Sequence, residues 1–586
     1  MLGSGVPQRV PVWATNRDAA PVGTFHMATP IPVPLDSKAA RMPARRVQLS
    51  TMAVLIAFVS GCTTARKAPG DPYGSPPFLF DRHEMTAGSN KEQTVLTGSL
   101  LGGPVADFAF VSVDEQGIRR LEIHAYDGSA WRPRLSATLG AEVLFVDIAA
   151  IGGHERLITY EPGRFNWLNP ETMKEQLLIE VEGTFRPTTR DRIPHVDLTR
   201  DLNRDGRDDL VMPGVDGFWI SVQRDDGSFA PFSRYGPAEP FADTPVSGFD
   251  LEEGALKKGT TYGDVGITAA TVPLYLNRIH QLDYDQDGRI DLAFWNRDHF
   301  AIHLQTDTAE FTPAATRANI RVPFDFDGVY SRAADYTDQG IFALLFGIGK
   351  KTERTVLHSF RDLNGDGAAD LVLLTLRGRS ITKQRSQYAV HFGKSSSDGL
   401  RFEANPDATF RPRGKAGGMQ PWGYASQSFE DFDGDGRTDM LFRQVKVDFG
   451  GMLLALIGKS VAIDLEIFSM QEGVFRTKPA ARRKLRRFSP FAGADNIFFP
   501  PVMTGDVNGD GRTDLVAGRD PEKLHLYPGV AGPELLGKKP VAVNVLLPRD
   551  ERDARLADMN LDGKQDIVLH HRSRNEPDRV VILMAR

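Results

Sequence analysis

Residues 506–515 read Asp-Val-Asn-Gly-Asp-Gly-Arg-Thr-Asp-Leu, and the same arrangement recurs five more times along the chain. The other copies begin at Asp201 (DLNRDGRDDL), Asp283 (DYDQDGRIDL), Asp362 (DLNGDGAADL), Asp431 (DFDGDGRTDM) and Asp558 (DMNLDGKQDI). The shared form is D-x-(D/N)-x-D-G-x-x-D followed by an apolar residue. Composition alone does not produce such a pattern six times, and internal self-similarity marks a repeat architecture. Successive copies lie further apart than the about 40–45 residues of a plain four-stranded propeller blade, so insertions are expected between strands.

The spacing has a chemical reading. A hard cation such as Ca²⁺ takes six to eight oxygen ligands at about 2.3–2.6 Å. Oxygens on alternate residues of a tight turn can converge on one point, and Gly at the sixth position permits that turn because it has no Cβ to clash at positive φ. The candidate ligand sets are Asp201, Asn203, Asp205, Arg207 and Asp209; Asp283, Asp285, Asp287, Arg289 and Asp291; and Asp362, Asn364, Asp366, Ala368 and Asp370. The remaining three sets are Asp431, Asp433, Asp435, Arg437 and Asp439; Asp506, Asn508, Asp510, Arg512 and Asp514; and Asp558, Asn560, Asp562, Lys564 and Asp566. The seventh residue of each would offer its backbone carbonyl, which leaves its side chain free to vary. About six Ca²⁺ ions are expected.

An EF-hand begins in the same way but requires a bidentate Glu at position 12 and flanking helices. Position 12 here is Met212, Phe294, Leu373, Phe442, Ala517 or Leu569, none of which carries a carboxylate. The flanks are short apolar runs punctuated by Gly or Pro, which read as strands. An Asp/Asn/Gly turn without metal leaves the recurrent ninth-position Asp unaccounted for, so the metal reading is preferred.

These loops resemble those of the FG-GAP/VCBS repeats found in integrin α-like β-propellers, over roughly residues 94–586. In that family the loop joins two strands of a blade and holds one Ca²⁺. The resemblance implies an all-β propeller of about eight four-stranded blades, with seven as the alternative, spanning residues 77–586. Two earlier segments, Thr94–Gly128 and Val143–Leu168, read as units that lack the oxygen ligands and should hold no ion. The last unit ends one strand short at Val580–Leu583, and the segment near Phe78-Leu79-Phe80 is expected to supply that strand and close the ring.

The single Cys excludes a disulfide framework and any Cys-based zinc or iron–sulfur site. It stands at the end of Arg45-Arg46, a mostly apolar run Val47–Val59 and Ser60-Gly61-Cys62. The run is too short to span a bilayer and fits the hydrophobic region of a secretory signal. Val59-Ser60-Gly61-Cys62 resembles a bacterial lipobox, which implies lipidation of Cys62, a signal peptide over 42–61 and an upstream mis-start over 1–41. Thr63 after the Cys favours the outer membrane. Residues 62–76, polar and rich in Pro and Gly, read as a flexible tether. The expected location is the bacterial cell envelope, on its periplasmic or surface face.

The 70 basic residues nearly balance the 76 acidic ones, for a formal charge of −6, which leaves no electrostatic footprint for nucleic acid. No nucleophile elbow, zinc-protease helix or phosphate-binding loop is present. His124, His303, His391 and His525 occupy comparable strands and read as semi-exposed polar positions. His195, His280 and His358 read as packing or hydrogen-bonding residues. The apolar stretches 340–347 and 450–458 read as small cores of their own insertions. The basic cluster Arg482, Arg483, Lys484, Arg486 and Arg487 reads as a solvated loop. The expected function is a calcium-stabilised binding, adhesion or scaffold module for a protein or glycan, as a monomer held to the membrane only by its lipid. The alternative is a propeller-type polysaccharide lyase or hydrolase, for which no catalytic residue is nominated.

Overall fold

Second strands in this chain are continuous apolar runs, such as Leu210-Val211-Met212 and Leu292-Ala293-Phe294, without the polar–apolar alternation of a half-solvated sheet. All of these residues are buried. Such runs require cover on both faces, and stacking sheets around an axis supplies it. The computed structural model describes residues 77–87, 93–181, 193–214, 217–237, 249–250, 255–256, 276–327, 352–378, 385–396, 399–411, 427–445, 460–471, 473–488, 500–549, 551–572 and 578–586. The lipobox, its signal, the tether and both apolar insertions lie outside these residues. Among the described residues no helix is long and apolar enough to cross a membrane.

Eight antiparallel sheets form a ring. The first blade comprises strands Thr94–Gly98, Asp107–Val113, Arg119–Tyr126 and Trp131–Thr138. The second comprises Phe145–Ile151, His154–Glu161, Arg164–Asn169 and Lys174–Glu180. In blades three to eight the acidic loop connects the first strand to the second. The second strands of those blades are Asp209–Gly214, Asp291–Asn296, Asp370–Gly378, Asp439–Val445, Asp514–Asp520 and Asp566–His571. First strands of neighbouring blades lie against one another around the axis. Outer strands such as Trp131–Thr138 are largely exposed.

Each blade is cemented to the next by apolar side chains. Leu96, Ala109 and Leu121 pack on Val146 and Leu157 between blades one and two. Phe218 of blade three stacks on Phe294 of blade four, with ring centroids 5.5 Å apart. The ring closes where Met85, Phe108, Phe110 and Trp131 meet Met559, Val568, Val580 and Ile582.

The closing strand comes from the N-terminal side, as the missing strand of the last unit requires. Phe80–Ala87 pairs antiparallel with Asp578–Ala585, in register from Phe80 opposite Ala585 to Ala87 opposite Asp578. Phe80–Ala87 is thus the outer strand of the eighth blade and covers the edge of Asp578–Ala585, leaving the short edges typical of radially repeated sheets. Eight blades, rather than seven, follow directly. Part of the extra length between loops forms small additions. Phe326–Asp327 joins blade five as a parallel strand. Short hairpins sit between the third and fourth strands of blades five and six.

Two smaller expectations are corrected. Residues 481–488 form the outer strand of blade six and not a loop. Arg482 pairs with Glu466 at 3.0 Å, Lys484 stands opposite Asp464 in register, and Arg483 lies over the Tyr527 ring at 4.8 Å. The acidic third strand and the next blade therefore occupy the inner part of this basic run. Three of the four strand histidines are not semi-exposed: His124, His303 and His391 retain only 3%, 5% and 3% of their surface, while His525 is half-buried as expected. His303 sits edge-on to Tyr235 of the preceding blade and to Phe294 of its own and donates from Nδ1 to the Thr312 carbonyl at 2.8 Å. Burial lowers its pKa. His124 packs on Phe110 of its own blade and His391 bonds the Glu403 carbonyl of its own blade at 2.9 Å, so each buried ring is held in its own blade.

Candidate cation loops

The six loops share one hydrogen-bonded scaffold. The sixth-position Gly has φ between +77° and +87° in all copies, a conformation that a Cβ disfavours. Its N–H donates to Oδ2 of the first Asp at 2.8–3.0 Å in every loop. The N–H of the seventh residue donates to Oδ1 of the fifth Asp at 2.9–3.0 Å. Where the third residue is Asn, its Oδ1 accepts from the N–H of the fifth residue, as for Asn203 and Asp205 at 3.1 Å. The backbone thus holds the carboxylates of positions one and five in fixed directions. The fourth position also lies at positive φ: Arg204, Gln286 and Leu561 adopt it as non-glycine residues.

The two loops with Asp at position three bring three carboxylates of their opening turn together. Ligand oxygens of Asp283, Asp285 and Asp287 lie within 4.8 Å of one another, as do those of Asp431, Asp433 and Asp435. Like charges at this separation repel and favour protonation or a counter-ion. Asp283 Oδ1 is shielded from solvent and has no hydrogen-bond donor. A shielded carboxylate oxygen without a donor, in an all-oxygen turn, suits a hard cation.

The ninth Asp has a second role that its position in the motif did not disclose. All six are at most 1% exposed. Oδ2 accepts the N–H of the second loop residue at 2.8–3.2 Å. Oδ1 accepts an N–H at or just beyond the end of the third strand at 2.7–2.9 Å, from Gln223, Gln305, Gly393, Met470, Gly529 and Ala585. The carboxylate ties the loop to the sheet. Asp107, at the start of the second strand of the first blade, which lacks the acidic loop motif, accepts the equivalent bond from the Leu101 N–H at 2.7 Å and is 1% exposed. Sequence reading passed over Asp107 because no acidic neighbours accompany it. The recurrent ninth Asp therefore has a sufficient reason to exist apart from any ion.

Burial raises the pKa of these clamps, although their backbone donors pull it back. It reaches about 7 for Asp209, Asp370, Asp439 and Asp514 and about 6 for Asp291 and Asp566. A carboxyl whose pKa is raised by folding holds protons that the unfolded chain releases, so stability falls as pH climbs through the folded value. His358 and His571, pushed down to about 4 by burial, act in the opposite sense, but only below the ordinary His value of about 6.5. Between pH 6.5 and 8 the metal-free protein is therefore expected to lose about 1 kcal/mol for each of the four Asp near 7. Urea midpoints at the two pH values, taken in chelator, check this; a flat or rising trend contradicts it.

Near the axis the first strands of blades five to seven gather other polar groups. The Arg361 guanidinium lies 5.0 Å from the Phe429 ring centroid, and its Nε donates to Ser359 Oγ at 3.1 Å. Thr504 Oγ1 donates to Glu430 Oε1 at 3.2 Å. Burial raises the pKa of Glu430. His195 pairs with Asp147 at 2.8 Å and His280 with Asp327 at 3.0 Å, while His358 packs on Tyr388 and Phe429. All three serve the packing and bonding expected of them.

Ring, blade count and repeated acidic hairpin loops define the class: an eight-bladed all-β propeller. Among solved structures the chain is similar to a lectin of Agrocybe aegerita described as recognising non-reducing terminal N-acetylglucosamine, with a TM-score of 0.37 and 14% identity, over 77% of this chain and 94% of the lectin. It is also similar to the V. cholerae biofilm matrix protein Bap1, with a TM-score of 0.30 and 9% identity, over 88% of this chain and 89% of Bap1. No family model and no curated protein sequence matches the chain.

Proposed function

We propose that this protein is a calcium-stabilised propeller that binds a protein or glycan at the bacterial cell envelope, carried there by a lipid on Cys62. The observation that carries the calcium reading is the Asp283–Asp285–Asp287 turn, whose oxygens converge within 4.8 Å around a shielded Asp283 oxygen that has no donor. The ions act as structural struts. The six loops lie between first and second strands, where each ion would fix a turn whose carboxylates otherwise repel. Extracellular modules of this chemistry bind at about 10⁻⁴–10⁻³ M, which suits an exterior compartment. The envelope location rests on the Arg45–Cys62 segment. The binding role rests on a rigid ring with many loop connections at its ends, the arrangement by which scaffolds present recognition surfaces.

The enzyme alternative draws on one feature, the Arg361–Phe429–Glu430–Thr504 group near the axis. A glycan array and an envelope-protein pull-down, each with Ca²⁺ and with chelator, test the binding reading; a calcium-dependent ligand is the expected result. Polysaccharide cleavage that is lost in Glu430→Gln, with no stable ligand captured, would replace the binder with the enzyme.

A further inference from the structure

Five of the six loops place a cation at the seventh position, and in each the side chain folds back on its own loop. Arg207 reaches Oδ2 of Asp205 at 2.5 Å, Arg512 that of Asp510 at 2.6 Å, Arg437 that of Asp435 at 3.3 Å and Lys564 that of Asp562 at 3.9 Å. Arg289 pairs with Asp287 in the same way. The backbone does not demand this, because the seventh residue's own N–H already bonds Oδ1 of the same Asp. The side chain selects the other oxygen, the pole toward which an ion would also be drawn. In the loop at Asp362 the seventh residue is Ala368, 5% exposed, and it offers no charge. Arg361, just before that loop, is engaged with Phe429 and Ser359.

We propose that the seventh-position side chain is a tethered counter-ion that sets the cation affinity of its loop, so that the six sites fall into two classes of three. The inference rests on the reading of these loops as calcium sites. Counting ligand carboxylates together with the seventh residue, the loops at Asp283 and Asp431 carry a net charge of −3, because a fourth carboxylate offsets their Arg. The loop at Asp362 also carries −3, because it lacks both the fourth carboxylate and the cation. The loops at Asp201, Asp506 and Asp558 carry −2. The ninth Asp is common to all six, so its protonation does not alter the ranking. One unit of charge facing a divalent ion across a wet turn changes affinity about tenfold at low salt, and the effect is screened as salt rises.

Two arms on the full-length chain test this. The first is calcium binding by equilibrium dialysis after chelation. The unaltered chain should resolve three tighter and three weaker sites, and Arg512→Met should convert them to four and two. Methionine keeps the aliphatic stem that lies beside Gly434 of the neighbouring loop. The second arm uses terbium, a calcium-sized ion whose emission is excited through a nearby aromatic ring. Tyr284 is the second residue of the Asp283 loop and the only Tyr in any of the six, so its signal reports that site. Arg289→Met should lower the half-saturating terbium concentration about tenfold at low salt, and Arg289→Lys should leave it within about twofold of the unaltered chain. Bound calcium in six equal sites, or terbium affinity indifferent to Arg289→Met, overturns the counter-ion and leaves the calcium reading intact. No bound ion in either arm overturns both.

Discussion

Stripping divalent cations with a chelator is expected to lower the melting temperature by about 5–10 °C, with recovery when Ca²⁺ is returned. The size follows from mass action. A site occupied at ten times its dissociation constant adds about 1.4 kcal/mol, and six such sites approach 8 kcal/mol, which is comparable to the whole net stability of an ordinary domain. Each loop also loses its relief from crowded carboxylates, most of all at Asp283–Asp287 and Asp431–Asp435. Mg²⁺ prefers an octahedral shell and keeps its water, so it should restore little of the loss. Differential scanning calorimetry in chelator, Ca²⁺ and Mg²⁺ makes the comparison. An unchanged midpoint would remove calcium from the account of this protein.

The second large effect concerns the clamps. In Asp514→Ala two buried backbone donors, Val507 N–H and Gly529 N–H, lose their acceptor. A buried donor left unmade costs about 1–3 kcal/mol, so the expected loss is about 2–5 kcal/mol, and it should persist in chelator. Asp107→Ala is the sharper variant, because its blade lacks the acidic loop motif that would confuse the result. Denaturant midpoints should fall by the same amount with and without calcium. If Asp514→Ala costs nothing once calcium is removed, the ninth Asp is a ligand and not a clamp.

That ambiguity shows where sequence reading stops. A carboxylate that holds an ion and one that holds two backbone N–H groups present the same letter at the same spacing. Only Asp107, making the same bond without acidic neighbours, separates the two roles. Six of the eight blades were legible because each carries a local device of nine residues with fixed φ requirements, whereas the first two, without that loop, rested on strand-like segments alone and left seven blades open. The ring-closing strand was legible because the last unit lacked an edge partner, a deficit that can be counted along the chain.

Three of the four strand histidines were not legible. His303 and His391 sit in runs whose pattern suits a surface strand, yet both are buried. The residues that cover His303, Tyr235 and Phe294, include one from another blade far away in sequence. The basic run at 481–488 misled for the same reason. Its charges look solvated until the third strand places Glu466 and Asp464 opposite Arg482 and Lys484.

Sequence alone determined the turns, their order, the strands between them and the need for a closing strand, because these rest on short-range geometry and on charge carried within nine residues. Tertiary structure alone decided which polar side chains are buried, which cations are already paired and which aspartates bind the sheet. Those outcomes depend on the faces that neighbouring blades bring together, and no local spacing encodes them.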